Sequence, residues 1–209
     1  MQNPANEDVE FILGHADRLV NVATMCVISF GLADGLNDAL KVPPYEKDDW
    51  QQAAIGFQDG TLMMAALRTA LLLDRDDAKV SFQTIHSRLK SEVVQSLLKQ
   101  SLSEKHGLDE LFPASRDELI TGFFAAYSEI DWGVHGRLKH FRNFGIAHLT
   151  IEKMTRSITF DELRKLVSII SRLTTAIQQL CQTPTAFQEW MLDDYREIAR
   201  SSMKRNPPA

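Results

Sequence analysis

The chain has 209 residues, 44% of them hydrophobic, and sets 28 acidic against 23 basic side chains for a formal charge of −5. That length fits one domain with additions, or two small ones, and suffices to bury a core without covalent staples. The acidic balance excludes a dedicated nucleic-acid coat but not a local basic site, because salt confines the field of a charged patch to a Debye length of about 8 Å.

Cys26 and Cys181 lie far apart in apolar surroundings and read as reduced thiols of a cytoplasmic protein rather than a disulfide framework. No apolar run approaches the roughly 20 residues of a membrane span. The stretch from Met1 to Asp8 lacks the positive region and apolar core of a secretory signal.

In chain order, Val9, Ile12, Ala16, Leu19, Ala23 and Val27 recur at helical spacing, and the pattern runs to about Leu40. Gly31 and Gly35 are bend or break points inside it, and Pro43-Pro44 ends it. Asp48 or Asp49 caps a second helix through Leu62, Ala66 and Leu71, which closes in the acidic turn Asp74-Arg75-Asp76-Asp77, read as solvated. Ser81 caps a third helix carrying Phe82, Ile85, Leu89, Val93 and Leu97, with a break near Leu89-Lys90-Ser91 and a stop at His106-Gly107. After the connector Leu111-Phe112-Pro113-Ala114, Ser115 and Glu118 have the spacing of a capping box. The helix they open runs towards Arg142, with Trp132-Gly133 and Gly136 as bend points. A polar connector spans 150–157. Thr159 and Glu162 repeat the capping-box spacing ahead of Leu163, Leu166, Val167, Ile170, Leu173 and Ile177, and Thr183-Pro184 closes that helix. A last amphipathic segment holds Phe187, Met191, Tyr195 and Ile198.

Helices joined by mostly short connectors predict an all-α antiparallel bundle in a single domain, 1–209. It divides into an N-terminal helical extension (1–45), a core (50–180), and a C-terminal helix with a mobile tail (184–209). No glycine-rich loop follows a strand, which argues against a mononucleotide fold.

One stretch, from Lys139 to Leu149, interrupts this pattern with chemically capable side chains: Arg142, Asn143 directly after it, and His148, with small or apolar residues between. From Gly133 to Arg156 the bases Arg137, Lys139, Arg142, Lys153 and Arg156 face the single acid Glu152. This is a local positive patch suited to phosphates. Arg137, Lys139, His140 and Lys153 are the candidates for RNA contact, although a solvated charge is the simpler reading of Lys139. Phe141 and Phe144 read as packing residues. A metal site from His135, His140 and His148 would have no carboxylate or cysteine at helical ligand spacing, so neither metal nor cofactor is expected.

An arginine followed by a polar residue and, a few positions on, a histidine in an all-α chain resembles the signature of HEPN ribonucleases. The surroundings are similar to the AbiU-like branch of that superfamily. They comprise Leu71-Leu72-Leu73-Asp74-Arg75, the helix start Ser81-Phe82, Ala147-His148-Leu149, and the helix start Thr159-Phe160-Asp161-Glu162. The resemblance covers roughly 50–180. It implies a bundle of four main helices, a homodimer whose two motifs face each other across a cleft, and a metal-independent endoribonuclease in phage defence or a toxin–antitoxin system. It also implies a cognate antitoxin, often of the nucleotidyltransferase type. Those partners modify a tyrosine two residues after the histidine. Thr150 stands there in this chain, so the resemblance does not extend to that control. The alternative is a non-catalytic HEPN-like module that binds RNA, a nucleotide or a protein.

The residue types suit the implied chemistry. Histidine, with an unperturbed pKa of about 6.5, moves protons near cellular pH, so His148 is the general acid or base. The guanidinium of Arg142 offers two parallel donors to a phosphate and never loses its charge. Asn143 positions the substrate. On an ideal helix, residues six apart are rotated by about 240° and separated by ~9 Å, so Arg142 and His148 share a face only if the helix bends near Gly145. Otherwise each site draws on two chains.

Overall fold

The computed structural model describes residues 3–41, 49–103, 115–143 and 158–202. They form eight helices and, among the described residues, no strand: α1 (Pro4–Leu40), α2 (Asp49–Leu72), α3 (Phe82–Leu89), α4 (Glu92–Ser103), α5 (Arg116–Ser128), α6 (Trp132–Phe141), α7 (Phe160–Cys181) and α8 (Met191–Ser202). The expected helix stop at His106-Gly107, the polar connector and the tail after Ser202 lie outside the described residues.

Local chemistry accounts for most boundaries. The Asn3 side chain accepts from the Ala5 amide at the start of α1. Ser81 caps α3, accepting from the Thr84 amide at 3.2 Å. Ser115 with Glu118 and Thr159 with Glu162 both form complete capping boxes, each satisfying two amides that the helix start would otherwise orphan. The expected break after Leu89 separates α3 from α4.

The helix opened by Ser115 does not run on to Arg142. It ends at Ser128, and Asp131 caps a new helix, accepting from the amides of Gly133 at 2.8 Å and Val134 at 3.0 Å. A carboxylate acceptor at that position offers the chain a better end than continuation.

α1 is a central element rather than an appended one, because it packs against α2, α7 and α8. Ile12, Ala16, Val20, Ala23, Val27 and Phe30 are fully buried. Its partners are small on one side, Ala65, Ala66 and Ala70 of α2, and branched on the other, Leu166, Ile170, Leu173 and Ile177 of α7. α5 lies along α7 and contributes Phe123. By length and composition alone α1 could cross a bilayer, with a mean hydropathy of 1.7 over 18 residues, but 67% of that window is buried inside the bundle. Core packing accounts for its apolar character. Cys26 and Cys181 are free and buried. The Cys26 thiol lies 3.3 Å from Thr69 Oγ1, and burial pushes its pKa up to about 11.

Gly31 and Gly35 neither bend nor break α1. They let α8 approach. A Cβ on Gly35 would lie 2.0 Å from the Arg196 carbonyl oxygen, and one on Gly31 would lie 2.8 Å from that of Leu192. On the same side of α1, Asp34 receives Arg164 through a two-pronged pair at 2.6 and 3.3 Å. Asp38 receives Arg196 at 2.5 and 3.1 Å. Close backbone approach and paired charges thus dock α7 and α8 on the C-terminal half of α1.

Candidate functional site

The site gathers at one end of the bundle, where α6 ends, α2 ends and the loop between α2 and α3 crosses α1. At Arg142–Asn143 the last turn of α6 widens to a π-type turn. Such turns re-aim side chains and recur at functional sites. Arg142 Nε donates to Asn143 Oδ1 at 2.9 Å, so the residue after the arginine orients the guanidinium directly. Arg142 Nη1 reaches Asp74 Oδ2 at 3.4 Å, and Lys139 Nζ reaches Asp74 Oδ1 at 3.5 Å. The guanidinium side chain is only 16% exposed.

Asp74 is the residue that sequence reasoning misread. It stands in the acidic turn taken as solvated, yet it is buried, while Asp76 and Asp77 are exposed. Its carboxylate accepts the Asp76 amide at 3.3 Å, and its carbonyl accepts the Ser81 hydroxyl at 2.7 Å. Burial pushes the Asp74 carboxyl up, but Lys139, the Asp76 amide and Arg142 together hold it below the usual carboxylate range. No sequence signal separated Asp74 from Asp76 and Asp77: the Ser81 hydroxyl bonds the Asp74 backbone carbonyl, which any residue type would offer.

The other expected site residues divide. Lys139 is a partner of Asp74 rather than a free solvated charge. Arg137 is tied to Glu162, the acidic member of the α7 capping box, so it joins α6 to α7 instead of facing the cavity beside Arg142. His140 is half-buried on α6. His135, seen in the sequence only as a polar neighbour, is 3% exposed and meets Trp132 edge-on at 5.5 Å. Burial lowers its pKa, against the opposing pull of its hydrogen bond to the Ala70 backbone. His148, Thr150 and Lys153 lie outside the described residues, as does Gly145, where the bend was expected.

Beside Arg142 opens a cavity of about 520 Å³. Leu19, Val22, Leu71 and Val80 form an apolar wall, and among the described residues Arg18, Lys79 and Arg142 supply cations against the one carboxylate of Asp74. Arg18 and Lys79 come from α1 and from the α2–α3 loop, far from the motif in sequence. Nothing in their local spacing marked them. Among the described residues, no group of three His, Cys, Asp or Glu side chains could hold a metal ion.

Comparison of the chain with protein-family models, with curated proteins and with solved structures finds no match.

Proposed function

We propose that the chain is a metal-independent endoribonuclease that cleaves RNA by attack of a 2′-hydroxyl on the adjacent phosphorus. The observation that carries this reading is Arg142, held by Asn143 and Asp74 at the edge of a cationic, partly apolar cavity on a protein of net charge −5. In the reaction the 2′-oxygen loses its proton and bonds to phosphorus, the bond to the 5′-oxygen breaks, and that oxygen gains a proton. The products are a 2′,3′-cyclic phosphate and a 5′-hydroxyl. Arg142 stabilises the charge that grows on the non-bridging oxygens. Asn143 sets the guanidinium plane, and His148 carries a proton as general acid or base.

The proposed working form is a homodimer. Phe57, Met64 and Leu71 of α2 are large, apolar and exposed, and their seven-residue spacing puts them on one side of the helix. Leu71 also lines the cavity, so a second copy seated on that stripe borders the site and can bring its own motif to it. The resemblance to AbiU-like HEPN proteins supplies the role: a cytoplasmic nuclease in phage defence or a toxin–antitoxin system, restrained by a cognate antitoxin.

The Asp74–Arg142 pair favours a second reading, because a guanidinium already engaged by a carboxylate is also what a structural ion pair requires. In that case the chain is a non-catalytic module that binds RNA, a nucleotide or a protein. The test is an RNA cut by the protein in EDTA, compared with the same RNA carrying 2′-O-methyl groups at the cut positions. Cleavage of the first and not the second supports the nuclease. Equal cleavage of both overturns the 2′-hydroxyl mechanism, and cleavage of neither selects the binding module.

A further inference from the structure

The arginines of this chain are mostly spoken for. Arg88 pairs with Asp8, Arg137 with Glu162, Arg164 with Asp34, Arg172 with Glu129 and Arg196 with Asp38. In a chain richer in acids than in bases, that is the expected fate of a cation. Several cations depart from it, among them Arg68, which bonds Ser29 and the Met25 carbonyl, and Arg75, which lies over Trp132; of these departures, Arg18 and Lys79 are the ones that line the cavity. Both are exposed, both line the cavity beside Arg142, and no carboxylate among the described residues lies within ion-pair distance of either. Lys79 is not on a loose loop. Its amide donates to the Asp76 carbonyl at 2.9 Å, its carbonyl accepts the Thr84 hydroxyl at 2.7 Å, and the Ala78 amide beside it donates to Asp76 Oδ1 at 3.0 Å. Arg18 stands on α1, the most deeply packed helix.

We infer that this cavity is a subsite for the nucleotide next to the scissile bond, with Arg18 and Lys79 holding its phosphate and the apolar wall taking its sugar and base. The inference rests on the nuclease reading for the word scissile, but the binding it describes stands on the cavity itself. Its volume lies within the ~300–1,000 Å³ of ligand-sized clefts and exceeds what a lone phosphate needs. Its cations come from three separate parts of the chain, α1, the α2–α3 loop and the end of α6, which suits a phosphodiester strand passing Arg142. Its one carboxylate among the described residues, Asp74, already faces Lys139 and Arg142, so the two outer cations remain to recognise an anion.

The experiment measures binding of a labelled 2′-O-methyl oligoribonucleotide, which cannot be cut by 2′-attack, to the full chain and to Arg18→Ala and Lys79→Ala across a salt series. Each substitution should raise Kd about tenfold, the scale of one charge-assisted hydrogen bond. Each should also lower the slope of log affinity against log salt by about 0.7, the value for one phosphate contact on a single strand. Unchanged affinity and slope in both variants, or no binding by the wild-type chain, overturns the inference. So does weakened AMP binding with oligonucleotide binding intact, which would assign the cavity to a free nucleotide. Cleavage of unmodified RNA is scored separately: no cleavage with the binding pattern intact refutes the nuclease and not the subsite.

Discussion

Two glycine-to-alanine substitutions on the same helix should move stability in opposite directions. Gly14 sits in α1 with nothing within 4 Å of where a Cβ would stand, so Gly14→Ala gains the intrinsic helix preference, about 0.8–1 kcal/mol. Gly35→Ala gains the same preference but places its methyl 2.0 Å from the Arg196 carbonyl oxygen and 2.8 Å from the Ala199 Cβ. To restore ordinary contact at 3.4 Å, α8 must retreat by about 1.4 Å. That retreat takes the 3.1 Å Arg196–Asp38 bond out of hydrogen-bonding range. Overpacking of this kind costs roughly 1–3 kcal/mol, so Gly35→Ala should fall below wild type by up to about 2 kcal/mol once the helix preference is credited. Urea denaturation of both variants gives the two values, and hydrogen exchange should show faster opening confined to α8 in Gly35→Ala. A Gly35→Ala protein as stable as Gly14→Ala would refute the close-approach reasoning.

His86 is stacked on Tyr127, with ring centroids 3.6 Å apart and planes within 10°. Burial, helped by Lys90, lowers its pKa to about 4. The folded state therefore holds it neutral where the unfolded chain protonates it. Its contribution is intact above about pH 6.5 and is lost as the pH falls from 6.5 towards 4. Thermal denaturation should show that loss in wild type, and a flatter profile in His86→Phe, which keeps the stack without the proton site; identical profiles would exclude His86 as the source. Asp74→Asn keeps an acceptor oxygen near Arg142 while deleting the only negative charge among the described residues lining the cavity. Stability should drop by about 1–3 kcal/mol, because Asp74 is buried and its partner Arg142 is only 16% exposed, and oligonucleotide affinity at low salt should rise severalfold in an anisotropy titration. Weaker binding would mean that Asp74 orients Arg142 more than it opposes the ligand's charge.

Local signals were legible in the sequence wherever a side chain bonds its own backbone neighbours. Ser81, Ser115 with Glu118, and Thr159 with Glu162 start helices where their spacing says they should. The apolar periodicity of α7 likewise gives its buried face. What depends on a distant partner was not legible. Gly31 and Gly35 look like breaks until α8 is laid against them. Asp131 is the exception among the local signals: its carboxylate caps α6 through the amides of Gly133 and Val134, yet the sequence pattern reads as one helix running through it. At the site, Arg142 and Asn143 stood out because they are adjacent and chemically distinctive. Asp74, Arg18 and Lys79 join them only through tertiary packing, and Arg137, equally basic in the sequence, is drawn away to Glu162.

The account turns on whether Arg142 and His148 cut RNA without a metal. The decisive measurement is cleavage of total RNA in EDTA by wild type, Arg142→Ala and His148→Ala at matched folding and oligomeric state, with the new ends identified. The account predicts 2′,3′-cyclic phosphate ends from wild type and a loss on the order of 10²–10³ in rate, or more, in each variant. Variants that cut as fast as wild type, or wild-type activity that vanishes with EDTA and returns with a divalent ion, would contradict it.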